Sequence, residues 1–359
     1  MVVDHGGNRW RAASLYGLEP EAFLDFSANL NPLGPPPGLE AHLRRCLDEI
    51  GAYPEPHYLR LKAVLREHLR TEAEVVVGNG AVELIYLIPF LLRPRRVLVV
   101  EPGFVEYQAA CRAAQAEVRS LVLDPAEGFA LRPEALEAGL VGADMCFLGS
   151  PNNPTGNLPL ASEPLIEAVK QHPDCLFVVD QSFVDFVAPP SAASLTGAAG
   201  RFPNLCIVYS LTKFFALPGL RLGCALAGPA LARKLEENSP PWRVNALAAR
   251  AGEWVLEQKS YMVHARSLVR AQREFLAHGL ETLGLKPFPS VANFLLVYLG
   301  EKGPSGRELE EALGRRGLLI RRCASFTGLN DRFVRVAVRL PWENRRLLRA
   351  LEEVLARGR

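Results

Sequence analysis

The stretch "AEVVVGNGAVELIYLIPFLL", residues 73–92, joins two different patterns in a short space. Val75, Val76 and Val77 form an apolar β-branched run, a Gly-Asn-Gly turn follows, and the residues from Ala81 onward are apolar over a length typical of a helix. Short strands that are apolar throughout are typical of parallel sheets covered on both faces. The segment therefore predicts a buried strand followed by a crossover helix.

The same alternation continues on the C-terminal side of this stretch. Further strand-like runs, most of them separated by helical patterns, occupy residues 95–102, 116–124, 143–156, 175–183, 204–213 and 219–228. This rhythm predicts an α/β fold whose large domain has a mostly parallel seven-stranded sheet flanked by helices. Helical patterns dominate from 229 to about 283, and a shorter series of strands and helices then predicts a smaller α+β domain.

The domain boundaries follow from these shifts in pattern. We expect residues 1–45, rich in Pro and Gly, to form an N-terminal arm that packs with the small domain. Residues 46–260 are expected to form the large domain and residues 261–359 the small one. A chain of 359 residues exceeds what a single core usually holds.

Composition narrows the class of protein. The chain has 41 basic and 39 acidic side chains, and this balance argues against a nucleic-acid partner. Its seven cysteines contain no C-x-x-C pair and are expected to be reduced and mostly buried. The N-terminus lacks the apolar core of a signal peptide, and no long uninterrupted apolar run occurs. We therefore expect a cytoplasmic protein with no membrane partner.

The first candidate site follows the strand in the opening stretch. Ligands of open α/β sheets bind at the carboxyl ends of the strands. The backbone N–H groups of Gly80, Ala81 and Val82, at a turn and a helix start, could hold a phosphate. A tight turn without function is the simpler alternative. A dinucleotide site is another, but "GNGAVE" lacks the third glycine of that motif.

Three more strand ends carry unusual groups. Phe104 in "EPGFVEY" could stack on a flat ring or simply pack in the core. The doubled asparagine of "GSPNNPTG" exceeds what a turn requires and could bind a ligand oxygen through Asn153. Asp180 ends a buried strand, where a carboxylate needs either a structural cation or a protonated ring nitrogen.

Lys213 lies in "YSLTKFFALPGLRLG", residues 209–223, among apolar neighbours. Burial disfavours the charged ammonium and leaves an amine that can attack a carbonyl. Arg221 offers a phosphate-binding fork, and Ser210 and Thr212 add hydroxyl donors. Together with the strand-end residues, this set of groups matches one cofactor, pyridoxal 5'-phosphate.

The order "GNGAVE", "EPGFVEY", "SPNNPTG", "VVD", "SLTKFFALPGLRLG" resembles the aspartate aminotransferase superfamily, the fold-type I pyridoxal-phosphate enzymes, over nearly the whole chain. The resemblance implies catalytic roles for Lys213, as the Schiff-base lysine, and for Asp180, as the partner of the ring nitrogen. It implies that Phe104 stacks on the ring and Asn153 bonds its oxygen. The residues implied around the phosphate are Gly80, Ala81, Val82, Ser210, Thr212 and Arg221. Tyr53 resembles a tyrosine that reaches the neighbouring subunit's cofactor, which implies a homodimer.

Within the superfamily the chain is most similar to two families, the histidinol-phosphate aminotransferases and the L-threonine-O-3-phosphate decarboxylases of cobalamin biosynthesis. The segments "HGGN", residues 5–8, and "LLIRRCASFTGLNDRFVRVAVR", residues 318–339, resemble the decarboxylases. That likeness implies the product (R)-1-amino-2-propanol O-2-phosphate. The substrate contacts that it implies are His5, Gly6, Asn29, Asn153, Arg321 and Arg335. One departure is Phe183, at a position where many relatives have tyrosine.

Two alternatives stay open at this stage. An aminotransferase acting on histidinol phosphate or a related compound would use the same cofactor residues. The outcome depends on which substrate bond stands perpendicular to the ring, and hence on which anion the two arginines hold. A catalytically silent binding protein, such as the effector domain of a transcriptional regulator, is the third hypothesis, although no DNA-binding segment accompanies the fold.

Overall fold

The computed structural model describes residues 6–190 and 193–357. Its helices are α1 Arg9–Tyr16, α2 Leu39–Arg45, α3 Leu59–Leu69, α4 Ala81–Leu92, α5 Glu106–Ala113, α6 Pro133–Leu140, α7 Ser162–Gln171, α8 Leu211–Phe214, α9 Pro229–Glu237, α10 Ala246–Val255, α11 Lys259–Thr282, α12 Gly306–Gly314 and α13 Pro341–Arg357. Its strands are β1 Leu24–Asp25, β2 Glu74–Gly78, β3 Arg96–Glu101, β4 Glu117–Val122, β5 Met145–Gly149, β6 Leu176–Asp180, β7 Leu205–Ser210, β8 Gly223–Ala227, β9 Lys286–Pro287, β10 Phe294–Tyr298, β11 Leu318–Leu319, β12 Arg321–Arg322 and β13 Phe333–Ala337. Short 3₁₀ turns lie at Pro20–Ala22, Leu47–Gly51, Pro125–Glu127 and Val184–Phe186.

The large sheet has seven strands in the order β2-β8-β7-β6-β5-β3-β4. Strand β8 runs antiparallel to both of its neighbours, and the other pairs are parallel. This confirms the predicted mostly parallel sheet. Because β2, β3, β5, β6 and β7 run in one direction, the turns that carry the candidate residues all emerge at one edge.

Alternation along each strand divides the core between the two faces of this sheet. Val75 and Val77 pack in one apolar cluster, whereas Val76 packs in another. Val178 and Val179 of β6 divide in the same way. Burial on both faces explains why these strands are apolar throughout. All seven cysteines are buried and free, as expected.

A second sheet, in the order β12-β13-β10-β9, is antiparallel and belongs to the smaller α+β part of the fold. Strand β1 pairs with β11 in parallel, with Leu24 opposite Leu318. Helix α2 lies elsewhere, since the ring of His42 stacks on Trp254 of α10 at 5.7 Å. The N-terminal segment therefore contacts both parts of the fold, and the domain boundaries at residues 45 and 260 stay predictions. Within residues 6–190 and 193–357, no helix has the length and apolar character needed to cross a membrane.

Candidate active site

A cavity of about 1010 Å³ opens at the carboxyl ends of the large sheet. Most of the residues singled out from the sequence contribute to its wall: Gly6, Asn29, Ala81, Val82, Phe104, Asn153, Asp180, Ser210, Thr212, Lys213, Arg221, Arg321 and Arg335. These residues come from the N-terminal segment, from five strand ends of the large sheet and from the small sheet. The cavity therefore lies where all three parts of the chain meet.

Lys213 is half-buried in α8, a single helical turn that directly follows β7. The Ser210 side chain caps this turn by accepting a hydrogen bond from the Thr212 N–H at 3.3 Å. Burial, followed by the positive charges of Arg335 and Arg221, lowers the pKa of Lys213 to about 8, although Asp180 opposes the shift. A much larger fraction of this amine than of an ordinary lysine is therefore uncharged near neutral pH, and that fraction has a lone pair available for attack on a carbonyl.

Asp180 is buried at the end of β6 and has two hydrogen-bond donors. The Tyr107 hydroxyl donates to Oδ2 at 2.7 Å, and the Ser182 backbone N–H donates to Oδ1 at 2.8 Å. Burial and the neighbouring Asp180 charge raise the pKa of Tyr107 well above its usual range. Tyr107 therefore stays protonated and fixes the carboxylate, which faces the cavity without a structural salt bridge to any described residue.

The N-terminus of α4 has no side-chain cap. The first N–H groups of a helix lack intrahelical partners, so Ala81 and Val82 present donors to the cavity. Gly80 differs from the expectation, because its N–H donates to the Gly78 carbonyl at 2.7 Å and is not free. Gly80 matters for its missing side chain: it has φ +83°, and a Cβ there would lie 2.3 Å from Nη2 of Arg221. Its absence allows the Arg221 guanidinium to lie against the helix start.

The two asparagines of "GSPNNPTG" have different environments. Asn152 is fully buried, and its amide donates to the Pro102 carbonyl and the Thr155 hydroxyl, each at 2.8 Å. Asn153 lies in the cavity wall, where its Oδ1 accepts a short hydrogen bond from Nη1 of Arg335. Asn152 therefore stabilises the turn, whereas Asn153 lines the cavity.

Arg321 and Arg335 are paired residues on β12 and β13, so they lie directly opposite each other on the same face of the small sheet. Both are buried. Arg335 donates from Nη2 to the Ser27 carbonyl at 2.8 Å, while Nη2 of Arg321 donates to the Ser325 hydroxyl at 2.7 Å. Burial lowers the pKa of Arg335 to about 10, which leaves it charged at neutral pH. Two buried like charges in register destabilise a sheet unless an anion compensates them.

The whole chain matches known proteins. Residues 21–351 match the model of the family described as aminotransferase class I and II. The chain belongs to this family.

The chain is similar to family members that are named for two different reactions, decarboxylation and amino-group transfer. It is 37% identical to the threonine-phosphate decarboxylase of Salmonella typhimurium, over 98% of this chain and 96% of the relative. The crystal structure of L-threonine-O-3-phosphate decarboxylase from Porphyromonas gingivalis has a TM-score of 0.81 at 31% identity, covering 92% of this chain and 99% of that one. The histidinol-phosphate aminotransferase from Clostridium acetobutylicum has a TM-score of 0.87 at 30% identity, covering 93% and 99%.

The cofactor of this family member is pyridoxal 5'-phosphate. The residues of the cavity fit it, since the wall offers an amine with a lowered pKa at Lys213 and a carboxylate at Asp180. Uncapped helix N–H groups and the adjacent Arg221 suit a phosphate. Phe104 is half-buried in the wall, with its ring edge-to-face against Tyr107 at 5.7 Å.

Phe183 also lies in the cavity wall of this family member, buried and edge-to-face against Phe294 at 5.0 Å. The Arg335 guanidinium lies over the same Phe294 ring at 5.4 Å. A phenylalanine offers no hydroxyl to a ligand. Phe183 therefore packs against the ring that supports Arg335. Any hydrogen bond to a ligand oxygen has to come from other residues.

Gly80 and Tyr53, both predicted from the sequence, do not line this cavity. Tyr53 is 77% exposed and stacks on Trp242 with the ring centroids 4.2 Å apart, away from the cavity of its own chain. His5 lies outside the described residues. Asn29 does line the cavity, and its buried Oδ1 has no hydrogen-bond partner among the described residues.

The polar wall residues that sequence reasoning missed include Asp25, Ser27, Tyr107 and Arg339. Arg339 could have been noticed, because Arg335 and Arg339 are an even number of positions apart and an extended chain would place them on one face. Tyr107 shares the "EPGFVEY" segment with Phe104, but its bond to Asp180 joins distant parts of the chain. No local pattern indicates Asp25 or Ser27.

Proposed function

We propose that this chain decarboxylates L-threonine O-3-phosphate to (R)-1-amino-2-propanol O-2-phosphate in cobalamin biosynthesis. The observation that carries the proposal is the pair of buried arginines, Arg321 and Arg335, in the same cavity as Lys213 and Asp180. Two guanidinium groups in the wall of one cavity suit a substrate that carries both a carboxylate and a phosphate. The likeness to the decarboxylases of S. typhimurium and P. gingivalis supports the same substrate.

The cofactor supplies an electron-accepting ring that takes up the electron pair of a bond broken at the substrate's α-carbon. In this proposal Lys213 is the residue that binds the cofactor covalently and carries a proton at Nζ. Asp180, oriented by Tyr107 and Ser182, holds the proton on the ring nitrogen. Phe104 stacks on the ring and Asn153 bonds its oxygen. The phosphate is held by Ala81, Val82, Ser210, Thr212 and Arg221, with Gly80 leaving room for the arginine.

The choice of reaction depends on Arg335 and Arg321. Which bond at the α-carbon breaks would depend on how these two arginines orient the substrate. Arg335 is held on two sides, by Asn153 and by the Ser27 carbonyl, so an anion that it binds is held in one place. If the two arginines bind mainly the phosphate of the substrate, with His5, Gly6 and Asn29 assisting, the carboxylate would be free to leave as CO₂, and a proton would replace it at the α-carbon.

A histidinol-phosphate aminotransferase is the second candidate, because the C. acetobutylicum enzyme is also similar over nearly the whole chain. In that case the arginines would hold the anionic group of the substrate so that the α-proton, rather than CO₂, leaves the α-carbon. The two reactions differ in their need for an oxo acid that accepts the amino group.

The test is incubation of the purified protein with L-threonine O-3-phosphate, with and without 2-oxoglutarate. We expect CO₂ release at the same rate in both. A strict requirement for 2-oxoglutarate, with glutamate formed in step, would contradict the decarboxylase and favour the aminotransferase.

Replacing Arg335 with Met should lower kcat/KM for CO₂ release about 30-fold or more, corresponding to about 2 kcal/mol for a lost buried charge contact. Arg270→Met is the matched control, because Arg270 forms an exposed ion pair with Glu274 on α11. Equal losses in both variants would mean that Arg335 has no special place in substrate binding.

A further inference from the structure

Ser27 is a buried residue of the N-terminal segment, just beyond β1. Its hydroxyl oxygen accepts a hydrogen bond from the Gly7 backbone N–H at 2.8 Å and donates its own hydrogen to Oδ1 of Asp25 at 2.6 Å. Its carbonyl accepts from Nη2 of Arg335 at 2.8 Å. One residue therefore joins the N-terminal segment to a candidate substrate arginine.

Asp25 holds Ser27 in this orientation. Besides the hydroxyl, its Oδ1 accepts from the Ser27 backbone N–H at 2.8 Å and from the Ala28 N–H at 3.2 Å. The Asp25 carbonyl accepts from Nη1 of Arg339 at 3.2 Å. Because the backbone of Asp25 pairs with Leu319 of β11, the position of Ser27 is tied to the small sheet.

The chain before α1 lies directly on Ser27. A Cβ at Gly6 would be 2.2 Å from the Ser27 carbonyl oxygen, so only glycine permits this approach. Gly7 follows with φ +92°, where glycine is again the suitable residue. The chain then enters α1, which Asn8 caps, and Arg9 and Trp10 at its start line the cavity.

We propose that Ser27, oriented by Asp25, is a positioning residue that holds residues 6–10 across the cavity and keeps Arg335 in register with them. The hydroxyl acts on the N-terminal segment and the carbonyl acts on the arginine. The position of residues 6–10 and the position of Arg335 are thus coupled, because both depend on Ser27. The identity of the substrate in this inference rests on the proposed function. The contact between Ser27 and residues 6–10 does not depend on it.

Limited trypsin digestion of the cofactor-loaded protein tests the contact without substrate, since Arg9 and Arg11 are cleavage sites in α1. Cleavage of a folded segment follows its local opening. Ser27→Ala removes the Gly7 contact and should speed cleavage at these sites about five-fold, the effect of one net hydrogen bond. Ser27→Thr keeps the hydroxyl and should behave like the unaltered protein. The cofactor absorbance should be the same in all of them.

Ser305→Ala is the matched control, because the Ser305 hydroxyl also accepts a backbone N–H, that of Glu308, but at the start of α12 outside the cavity wall. Cleavage of Ser27→Ala at the unaltered rate would overturn the proposal. Equal acceleration in Ser305→Ala would overturn it too, since the effect would then be a general loss of stability. If Ser27→Ala does not fold, Ser27→Cys decides by the same two outcomes, because a thiol nearly keeps the size of the side chain but is a much weaker hydrogen-bonding group than the hydroxyl.

Kinetics distinguish this proposal from the proposed function. With L-threonine O-3-phosphate, Ser27→Ala should raise KM about five-fold and change kcat less than about two-fold. An unchanged KM in a variant whose segment opens would overturn the substrate-positioning role. If the unaltered protein releases no CO₂, the decarboxylase proposal fails, and the digestion still decides whether Ser27 holds the segment.

Discussion

Lys213 shows how a single residue acquires reactivity from its surroundings. Burial is the largest cause of its lowered pKa, and the charges of Arg335 and Arg221 add to the shift. The negative charge of Asp180 acts in the opposite direction. A residue's chemistry is thus decided by neighbours that come from other strands of the sheet and from the small domain.

The pH dependence of cofactor binding follows from this environment. Only the uncharged amine attacks a carbonyl, so the rate at which cofactor-free protein takes up pyridoxal 5'-phosphate should rise with pH and level off above about 8. A lysine with its ordinary pKa would not level off until about 10.5. Stopped-flow absorbance measures this rate.

Arg335→Met removes one of the nearby positive charges and should move the midpoint to higher pH. Arg270→Met, on the exposed face of α11, should leave it unchanged. A midpoint near 10.5 in the unaltered protein would contradict the assigned environment of Lys213.

At the scale of the elements, the close approach of β8 to the start of α4 shapes the proposed phosphate site, which we call the phosphate cradle. Gly223 begins β8, and a Cβ there would lie 2.5 Å from the backbone nitrogen of Ala81 and 2.9 Å from the Tyr209 carbonyl oxygen. Backbone atoms of this kind cannot move aside cheaply. The antiparallel strand therefore sets where the first N–H groups of α4 point.

Gly223→Ala should push the start of α4 out of place. We expect the cofactor dissociation constant to rise about ten-fold or more and the free energy of unfolding to fall by about 1–3 kcal/mol. Gly228→Ala is the matched control directly after the same strand, because its Cβ would meet its nearest atom, in Pro203, at an ordinary 3.6 Å. Fluorescence titration with pyridoxal 5'-phosphate measures the cofactor dissociation constant of each variant. Equal dissociation constants in Gly223→Ala and Gly228→Ala would contradict the proposed cradle.

At the scale of the whole molecule, the exposed Tyr53 and Trp242 pair points to a partner. Tyr53 does not reach the cavity of its own chain, and exposed Ile50 and Leu59 lie near it in the sequence. We propose that two copies associate through this region and that Tyr53 reaches the cofactor phosphate of the other copy.

Mixing two inactive variants tests the shared site. Lys213→Ala and Tyr53→Ala should each lose most activity alone. A mixed dimer would contain one site with both residues intact, so refolding the variants together should restore activity, up to about a quarter of normal for random pairing of subunits with one active site in each mixed dimer. Lys213→Ala and Tyr53→Ala, each refolded alone, give the activity expected without complementation. No recovery beyond the activities of the separate variants would contradict the shared site.

Local patterns were enough to predict the sheet, its helices and the strand-end residues. The valines of β2, the polar turn after it, and Lys213 beside Ser210 and Thr212 depend on neighbours in the sequence, where periodicity and turn chemistry act. The family order of motifs then pointed to the cofactor. The roles of the individual site residues stay predictions that the experiments above test.

Contacts between distant residues decided the rest. Arg335 meets Asn153 and Ser27 across 182 and 308 positions of sequence, and Tyr107 meets Asp180 across 73. The sequence pattern also could not show that Asn152 is bonded within the protein while Asn153 lines the cavity. Nor could it show that the Gly80 N–H already donates to the Gly78 carbonyl. The cofactor type was readable from the sequence because its attachment residues follow strands in a characteristic order. The support and orientation of those residues required the tertiary structure, because hydrogen bonds between remote segments leave no local pattern.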